Sequence, residues 1–488
     1  MTLVEDSPVH YNVDHYVESA DALVSEGLPE PVSWGQDDEG AYRKLHATPA
    51  NVMYFILVTH MGATLWRHRV AMFGARGAVW AYNRFADAVM HIARVYLAIM
   101  AVHYVDDTGA VDAGPIAQSG FDAYERMCEL LRIRLKKSKR QPPTAVRDAL
   151  GVVIALSPEA AQVKPRETRR VKMLGQKRGF VEADRLSPND AERFAGKLNF
   201  YNTAVFGYLG RAALRPLYFR AYANGCPRGA PLTRAISAAL DSIEFNLNFA
   251  PPRIIPFAVR DRRRPCAYAD AFFEIGGEVT GGEMSTRARR RLRHSEVSTL
   301  ADERRIQLTN LAAARNGWGF IVVGPSGAGV YACGTIPKWF LQKLPSKKTF
   351  IFLIETIAQC LALWFCAPEL GSAYWAFCDN VGARFSLAKG YTKDVATNAV
   401  VSLFWHAATE VGTAPWFEHV PSAAQLADGV SRGDRTLPEK NGWDELDLQI
   451  DDLWELLLQI LDEGGIAQWR HLRALQDITE RERRRSGR

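Results

Sequence analysis

The longest apolar run in the chain, Ile351 to Ala367, has a single charged residue inside it, Glu355. The run is shorter than the roughly 20 residues of a membrane-spanning helix, so it belongs in a protein core. A lone carboxylate in a core is costly unless something compensates it. From Gly317 to Arg432 strand-like and helix-like segments alternate around this run, and three further acids occupy similar positions. Cys266-Ala-Tyr-Ala-Asp270-Ala is a β-run ending in a carboxylate, and Ala376-Phe-Cys-Asp379-Asn380 is another. Asp428 follows in Ala427-Asp428-Gly429-Val430-Ser431-Arg432. Four acids that end or interrupt buried-type segments are more than solvated surface, and their common use is a metal cluster.

A second group stands near the start. His103-Tyr104-Val105-Asp106-Asp107 places adjacent carboxylates where a strand meets a turn. The segment from Ala101 to Val111 reads as a hairpin, with Thr108-Gly109 as its turn. Two carboxylates brought together call for a compensating charge, usually a divalent cation. Mg²⁺ takes one or two carboxylates plus substrate phosphates, which suits nucleotidyl transfer. Taken alone, an Asp-Asp pair is more commonly a solvated turn.

At 488 residues the chain has room for about three domains. Its 48% hydrophobic and 23% charged residues exclude a disordered tail, a fibre and a coiled-coil rod. The seven cysteines are odd in number and form no CxxC pair, which argues against a disulfide framework or a zinc knuckle. Free thiols in a reducing compartment fit better. The acidic, polar start MTLVEDSPVH does not read as a signal peptide. The expectation is an intracellular protein of cytoplasm or nucleus, with no membrane partner.

The formal charge of +6 is modest, so its distribution matters more than its size. Residues 132 to 140 carry six Lys/Arg and no acid, and residues 287 to 305 carry seven Arg against three acids. Lys164, Arg166, Arg169, Arg170, Lys172, Lys177 and Arg178 form a third cluster. Each run alone is a solvated face as readily as a phosphate contact. Beside two acid clusters of the kind that hold divalent cations, phosphate contact is the better reading; binding would then weaken steeply with salt.

Gly62 to Ala101 reads as long helical segments interrupted near Phe73-Gly74 and Gly77, and Leu150 to Leu156 as a β-branched strand ending at Ser157-Pro158. Residues 186 to 250 read as all-helical, with Ser187-Pro-Asn-Asp190 as the start signal. Pro251-Pro252 and the run Arg260 to Arg264 mark the clearest boundary. Near the end, Trp443 to Leu461 reads as an acidic amphipathic helix, docked on the chain itself or on a partner, before a basic tail.

Tyr104-Val105-Asp106-Asp107 resembles the YxDD signature of reverse transcriptases. Upstream, Asp37-Asp38-Glu39-Gly40-Ala41-Tyr42-Arg43 is similar to that family's D-x-x-x-A-Y-R segment. Phe73-Gly74 followed by Ala78 to Arg84 resembles its FG-x(n)-F-x-R element, with Met72 where proline is usual. Lys139 and Leu150-Gly151 fall where the family has a palm lysine and its primer grip, and Glu192 to Arg211 resembles its thumb or connection. The later acids resemble the ribonuclease H domain that follows the polymerase in retrotransposons: strand Asp, helix Glu, strand Asp-Asn, then A-D-x-x-S-R.

The resemblance implies an α+β chain. A reverse-transcriptase palm with incomplete fingers (1–160), an antiparallel sheet on helices, precedes a helical thumb or connection (161–255). An α/β RNase H-like domain (262–435) with an Arg-rich insert (285–310) follows, and then a C-terminal helix and basic tail (436–488). It implies that Asp37, Asp106 and Asp107, and separately Asp270, Glu355, Asp379 and Asp428, are catalytic and hold two Mg²⁺ ions per site, Mn²⁺ being an alternative. Tyr42 would be the steric gate against a ribose 2′-hydroxyl, or else a core tyrosine. Phe73, Gly74, Arg84 and Lys139 would contact substrate. His419 would aid product release or be structural. The implied partners are an RNA template, a DNA primer, an RNA/DNA hybrid and dNTPs; the oligomeric state is left open.

One departure stands in front. Only 36 residues precede Asp37, and Met1 to Glu30 contains no Lys or Arg, so the fingers that clamp a triphosphate are expected to be truncated. The activity implied is RNA-directed DNA polymerisation with RNase H cleavage. The alternatives are a nuclease that uses only the second site, and a non-catalytic nucleic-acid scaffold.

Overall fold

The computed structural model describes residues 11–28, 30–46, 53–72, 75–223, 225–227, 229–257, 263–274, 314–345 and 350–486. The chain divides into two compact units, residues 1–167 with 252–261, and 168–251 with 262–488.

In the first unit, strands β1 (Pro31–Asp37), β4 (Ala101–Tyr104), β5 (Asp107–Ala113) and β6 (Gln141–Thr144) form an antiparallel sheet in the order β4-β5-β1-β6. Helices α2 (Arg76–Leu97) and α3 (Gly114–Leu130) supply its core with Val89, Met90, Ala93, Phe121, Tyr124 and Cys128, packed around Trp34. The Trp34 ring meets Phe121 edge-on at 5.5 Å, and its indole N–H donates to Asp112 at 2.7 Å. Trp34 thus buries a large apolar body without leaving its donor unpaired.

The hairpin at Tyr104 turns through Val105-Asp106, with Val105 at φ +54°, and not through Thr108-Gly109. The glycine is needed elsewhere. Gly109 stands opposite Gly35, and a β-carbon on either would collide with the buried Arg147 guanidinium, which lies across this part of the sheet and over the Tyr16 ring.

Gly62 to His68, expected to be helical, is instead strand β3, paired with β2 (Met53–Thr59) in a two-stranded ribbon. The helix begins only at Arg76. Leu150-Gly151, both with positive φ, make the tight turn between β7 (Val146–Ala149) and β8 (Val152–Leu156). A second antiparallel sheet, β10-β9-β8-β7, is completed by β9 (Ala160–Pro165) and by β10 (Arg253–Pro256), which returns from far along the chain.

The second unit contains helices α4 (Glu167–Glu182), α5 (Pro188–Tyr201), α6 (Leu214–Tyr222) and α7 (Arg234–Phe249). Ser187 caps α5 by accepting from the Asp190 amide, as the start signal predicts. A six-stranded mixed sheet follows, in the order β15-β14-β11-β12-β13-β16. Strands β11 (Cys266–Glu274), β12 (Arg315–Val323) and β13 (Gly329–Gly334) are antiparallel, and β14 (Ala373–Cys378) and β15 (Ala414–His419) add in parallel. The short α8 (Lys338–Lys343) leads to α9 (Ile351–Leu370), α10 (Val381–Lys389) and α11 (Val395–Glu410).

Helix α9 is long and apolar enough to cross a membrane, but most of it is buried against the sheet, as a core helix is. None of the seven cysteines is in a disulfide. The acidic helix is shorter than expected. Asp444-Glu445 is an edge strand, β16, paired with β13, and helix α14 starts at Asp451, to Asp462. The basic tail is helical too, as α15 (Trp469–Arg485). Both helices bury apolar faces in the main core, where Trp454 meets Phe340 at 5.4 Å.

Two candidate metal centres

The first acid cluster is built by strand register. Asp37 ends β1 directly opposite Asp107, the first residue of β5, and Asp106 occupies the turn between them and Tyr104. The Asp38 backbone N–H donates to the Asp106 carbonyl at 3.0 Å, which ties the turn to the end of β1. Asp37 is buried, while Asp107 is half exposed.

Lys139 reaches into this cluster. Its ammonium bonds the Asp37 carboxylate and stands 3.9 Å from Asp107. That contact raises the lysine's pKa. Burial, a hydrogen bond with Asp37 and the neighbouring carboxylates push Asp107 up to about 6, against the opposing pull of Lys139. A site that already holds a cation between two carboxylates, with oxygen as its only donor type, suits a hard divalent ion.

Tyr42 lies in a 3₁₀ turn, Ala41–Lys44, and is buried, with its ring edge-on to Tyr82 at 5.7 Å. Burial and the charge of Asp106 raise its pKa. Tyr82 projects from α2 and its hydroxyl donates to the buried Asp38, which also accepts from Lys44 at 3.1 Å. Arg84 is on the exposed side of the same helix. Phe73 and Gly74 lie outside the described residues.

The second cluster gathers acids from four elements. Glu355 projects from α9, Asp379 follows β14, Asp270 lies within β11, and Asp428 is in the short helix α12 (Ala427–Ser431). Ligand atoms of Glu355, Cys378 and Asp379 lie within 4.8 Å of one another. Glu355 is 8% exposed, and its Oε2 is buried with no hydrogen-bond partner. Burial, with the charges of Asp379 and Asp270, pushes it up to about 8. Asp270 is pushed up to about 6 by burial and accepts from the Ser431 hydroxyl at 2.9 Å. Asp428 is half exposed and paired with Arg432 at 3.4 Å. An orphaned carboxylate oxygen beside further acids is what a cation would satisfy.

The frame of this cluster is held by residues that the sequence did not single out. The Gln359 side-chain amide donates to the carbonyls of Ala269 and Phe377, clamping β11 to β14, and Gln425 donates to Ala269 as well. Ser431 was visible only as a letter of the A-D-x-x-S-R motif. Ser422 donates to Asp379 at 3.0 Å. His419 is exposed at the end of β15.

Not all of the basic residues are free for phosphate. Lys177 is buried between Asp241 and Glu244, at 3.5 and 2.8 Å. Arg166 pairs with Asp148, Arg170 bonds Asn248, and Arg169 lies over the Phe200 ring. In the 132–140 run, Arg140 is committed to Glu125 and Phe121, and Lys139 to Asp37. Arg132, Arg134, Lys136 and Lys137 are exposed. The insert 285–310 lies outside the described residues.

No family model matches the chain, and no curated protein matches it. Among solved structures, it is similar to the foamy viral protease-reverse transcriptase dRH in complex with double-stranded DNA, at 11% identity and a TM-score of 0.38, covering 86% of this chain and 60% of that one. It is similar at the same identity and TM-score to the foamy viral protease-reverse transcriptase in complex with an RNA/DNA hybrid, covering 87% of this chain and 47% of that one. A third, that protein in complex with double-stranded DNA, has 12% identity and a TM-score of 0.35, covering 80% and 68%. The chain spans less than two thirds of the first two proteins' length.

Proposed function

We propose that the chain is an RNA-directed DNA polymerase with a second, ribonuclease H active site. The observation that carries this reading is the register of β1 and β5. It sets Asp37 against Asp107, which meet at the Lys139 ammonium, and puts Asp106 at the adjoining turn, near enough for its charge to act on that lysine. Glu355 with its orphaned oxygen, beside Asp379, supports the second site.

Asp37, Asp106 and Asp107 would hold Mg²⁺ at the first site, and Asp270, Glu355, Asp379 and Asp428 at the second. Bound there, Mg²⁺ supplies Lewis-acid activation of a hydroxyl or water and neutralises phosphate charge. Lys139, half exposed at the rim, is placed to exchange its carboxylate contact for a phosphate oxygen. The Tyr42 ring, braced edge-on by Tyr82, is 8% exposed near Asp106, and a sugar would meet only that part of it. At the second site Ser431 orients Asp270 and Ser422 orients Asp379, so both carboxylates are held before substrate arrives.

The test is extension of a DNA primer on an RNA template with Mg²⁺, using the full chain beside Asp106→Asn. Extension that disappears in the variant supports the polymerase. No extension, with the hybrid bound and its RNA strand cut, leaves only the nuclease. Binding with neither activity overturns the proposal in favour of a scaffold.

A further inference from the structure

Cys378 sets the second acid cluster apart from an all-oxygen site. Its sulfur, one residue before Asp379 at the end of β14, is within 4.8 Å of one carboxylate oxygen of Glu355 and one of Asp379. The thiol is 1% exposed, and its one hydrogen bond is a weak one to the Asn380 carbonyl at 3.4 Å. Glu355 adds the independent observation: an oxygen sealed from solvent, unpartnered, on a side chain more than nine-tenths buried.

We propose that Glu355, Cys378 and Asp379 form a binding site for a thiophilic divalent cation of the Zn²⁺ or Cd²⁺ class. A sulfur and two carboxylate oxygens suit a borderline-soft ion, whereas Mg²⁺ gains nothing from sulfur. A common ion at about 2.3 Å from sulfur and about 2.0–2.2 Å from oxygen requires the three donors to draw together by about 1 Å. Side-chain rotation of Glu355 on its helix, and of Asp379 at the strand end out of its Ser422 hydrogen bond, supplies this. The frame does not need to move, because Gln359 fixes the strands and Asn380 is held as the cap of α10. On binding, the thiol proton passes to solvent and the thiolate bonds the ion; no electron is transferred. The site shares two acids with the proposed nuclease centre but rests on their geometry. A chain that fails to cut RNA leaves it standing, and a missing sulfur–metal bond removes it alone.

Cobalt titration of the metal-free full chain tests it. Co²⁺ is expected to give a near-ultraviolet thiolate-to-metal band that is lost in Cys378→Ser and kept in a Cys226→Ser control. Glu355→Gln and Asp379→Asn, with the thiol intact, are expected to weaken Co²⁺ binding at least about tenfold, the loss of one ligand being worth about 1.4 kcal/mol or more. These two variants keep the test decisive should Cys378→Ser not fold. Zn²⁺ is expected to displace the cobalt, and Mg²⁺ in large excess to leave the band in place. A wild-type chain without the band, a band that survives in Cys378→Ser, or displacement by Mg²⁺ as readily as by Zn²⁺ would overturn the proposal.

Discussion

Asp38 is buried beside Asp37 yet is neutralised by the protein itself, through the Tyr82 hydroxyl and the Lys44 ammonium. Its backbone holds the Asp106 turn and its partner Tyr82 braces Tyr42, so one residue fixes two parts of the first cluster. Tyr82→Phe removes a hydrogen bond to a charged group, worth about 1.5–3 kcal/mol. The expected outcome is nucleotide incorporation slowed about tenfold and weaker discrimination of dCTP from CTP, read by single-nucleotide extension. Unchanged discrimination would show that Lys44 alone suffices. The acids of the second cluster were legible in the sequence because a charge that ends or interrupts an apolar segment conflicts with its surroundings; Asp106 and Asp107 stood out as an adjacent pair, and Asp37 only through the resemblance. Asp38 and Cys378 were not: an acid beside a more conspicuous acid, or a thiol in an apolar run, breaks no pattern, and what each touches is decided across the fold.

Among the helices, the joint between α7 and α11 has a buried histidine at its centre. His406 faces the Ser242 hydroxyl at 3.2 Å and the Phe245 ring, with His471 close enough for its charge to matter. Burial holds His406 well below the usual histidine range, at about 3. Between that value and about 6.5 the unfolded chain binds the proton and the folded one does not, so stability falls as pH drops through this window. A His406→Gln chain is therefore expected to lose less melting temperature than wild type between pH 7 and pH 4. Equal losses would place the acid sensitivity elsewhere. Trp454 tests the C-terminal helices: Trp454→Ala empties a core position against Phe340 and is expected to cost about 3–5 kcal/mol in denaturant unfolding. A loss under 1 kcal/mol would mark α14 as peripheral. The sequence showed α5 through its cap and β8 through its β-branched run, and it showed a hairpin after Ala101 but put the turn at Thr108-Gly109. It misread β3, where Ala63 to Arg67 has no clean alternation because both faces of the ribbon are exposed.

At the scale of the whole molecule, the two acid clusters belong to different compact units. Substitutions that share no partners are expected to act independently. Asp106→Asn should abolish primer extension and leave RNA-strand cleavage within about twofold, and Asp379→Asn the reverse. Either variant silencing both activities would show a single composite site. That the acids fall into two groups was legible in the sequence, because the groups lie far apart along the chain. The partition of the backbone was not, since Pro251-Pro252 reads as an exit from one domain whereas the chain there re-enters the first unit to lay β10 along β9. That return couples the order of synthesis to the order of folding. As the chain leaves the ribosome, β9 must wait with an open edge while residues 168–251 of the other unit emerge. A nascent chain halted near residue 200 would present that edge to any strand nearby.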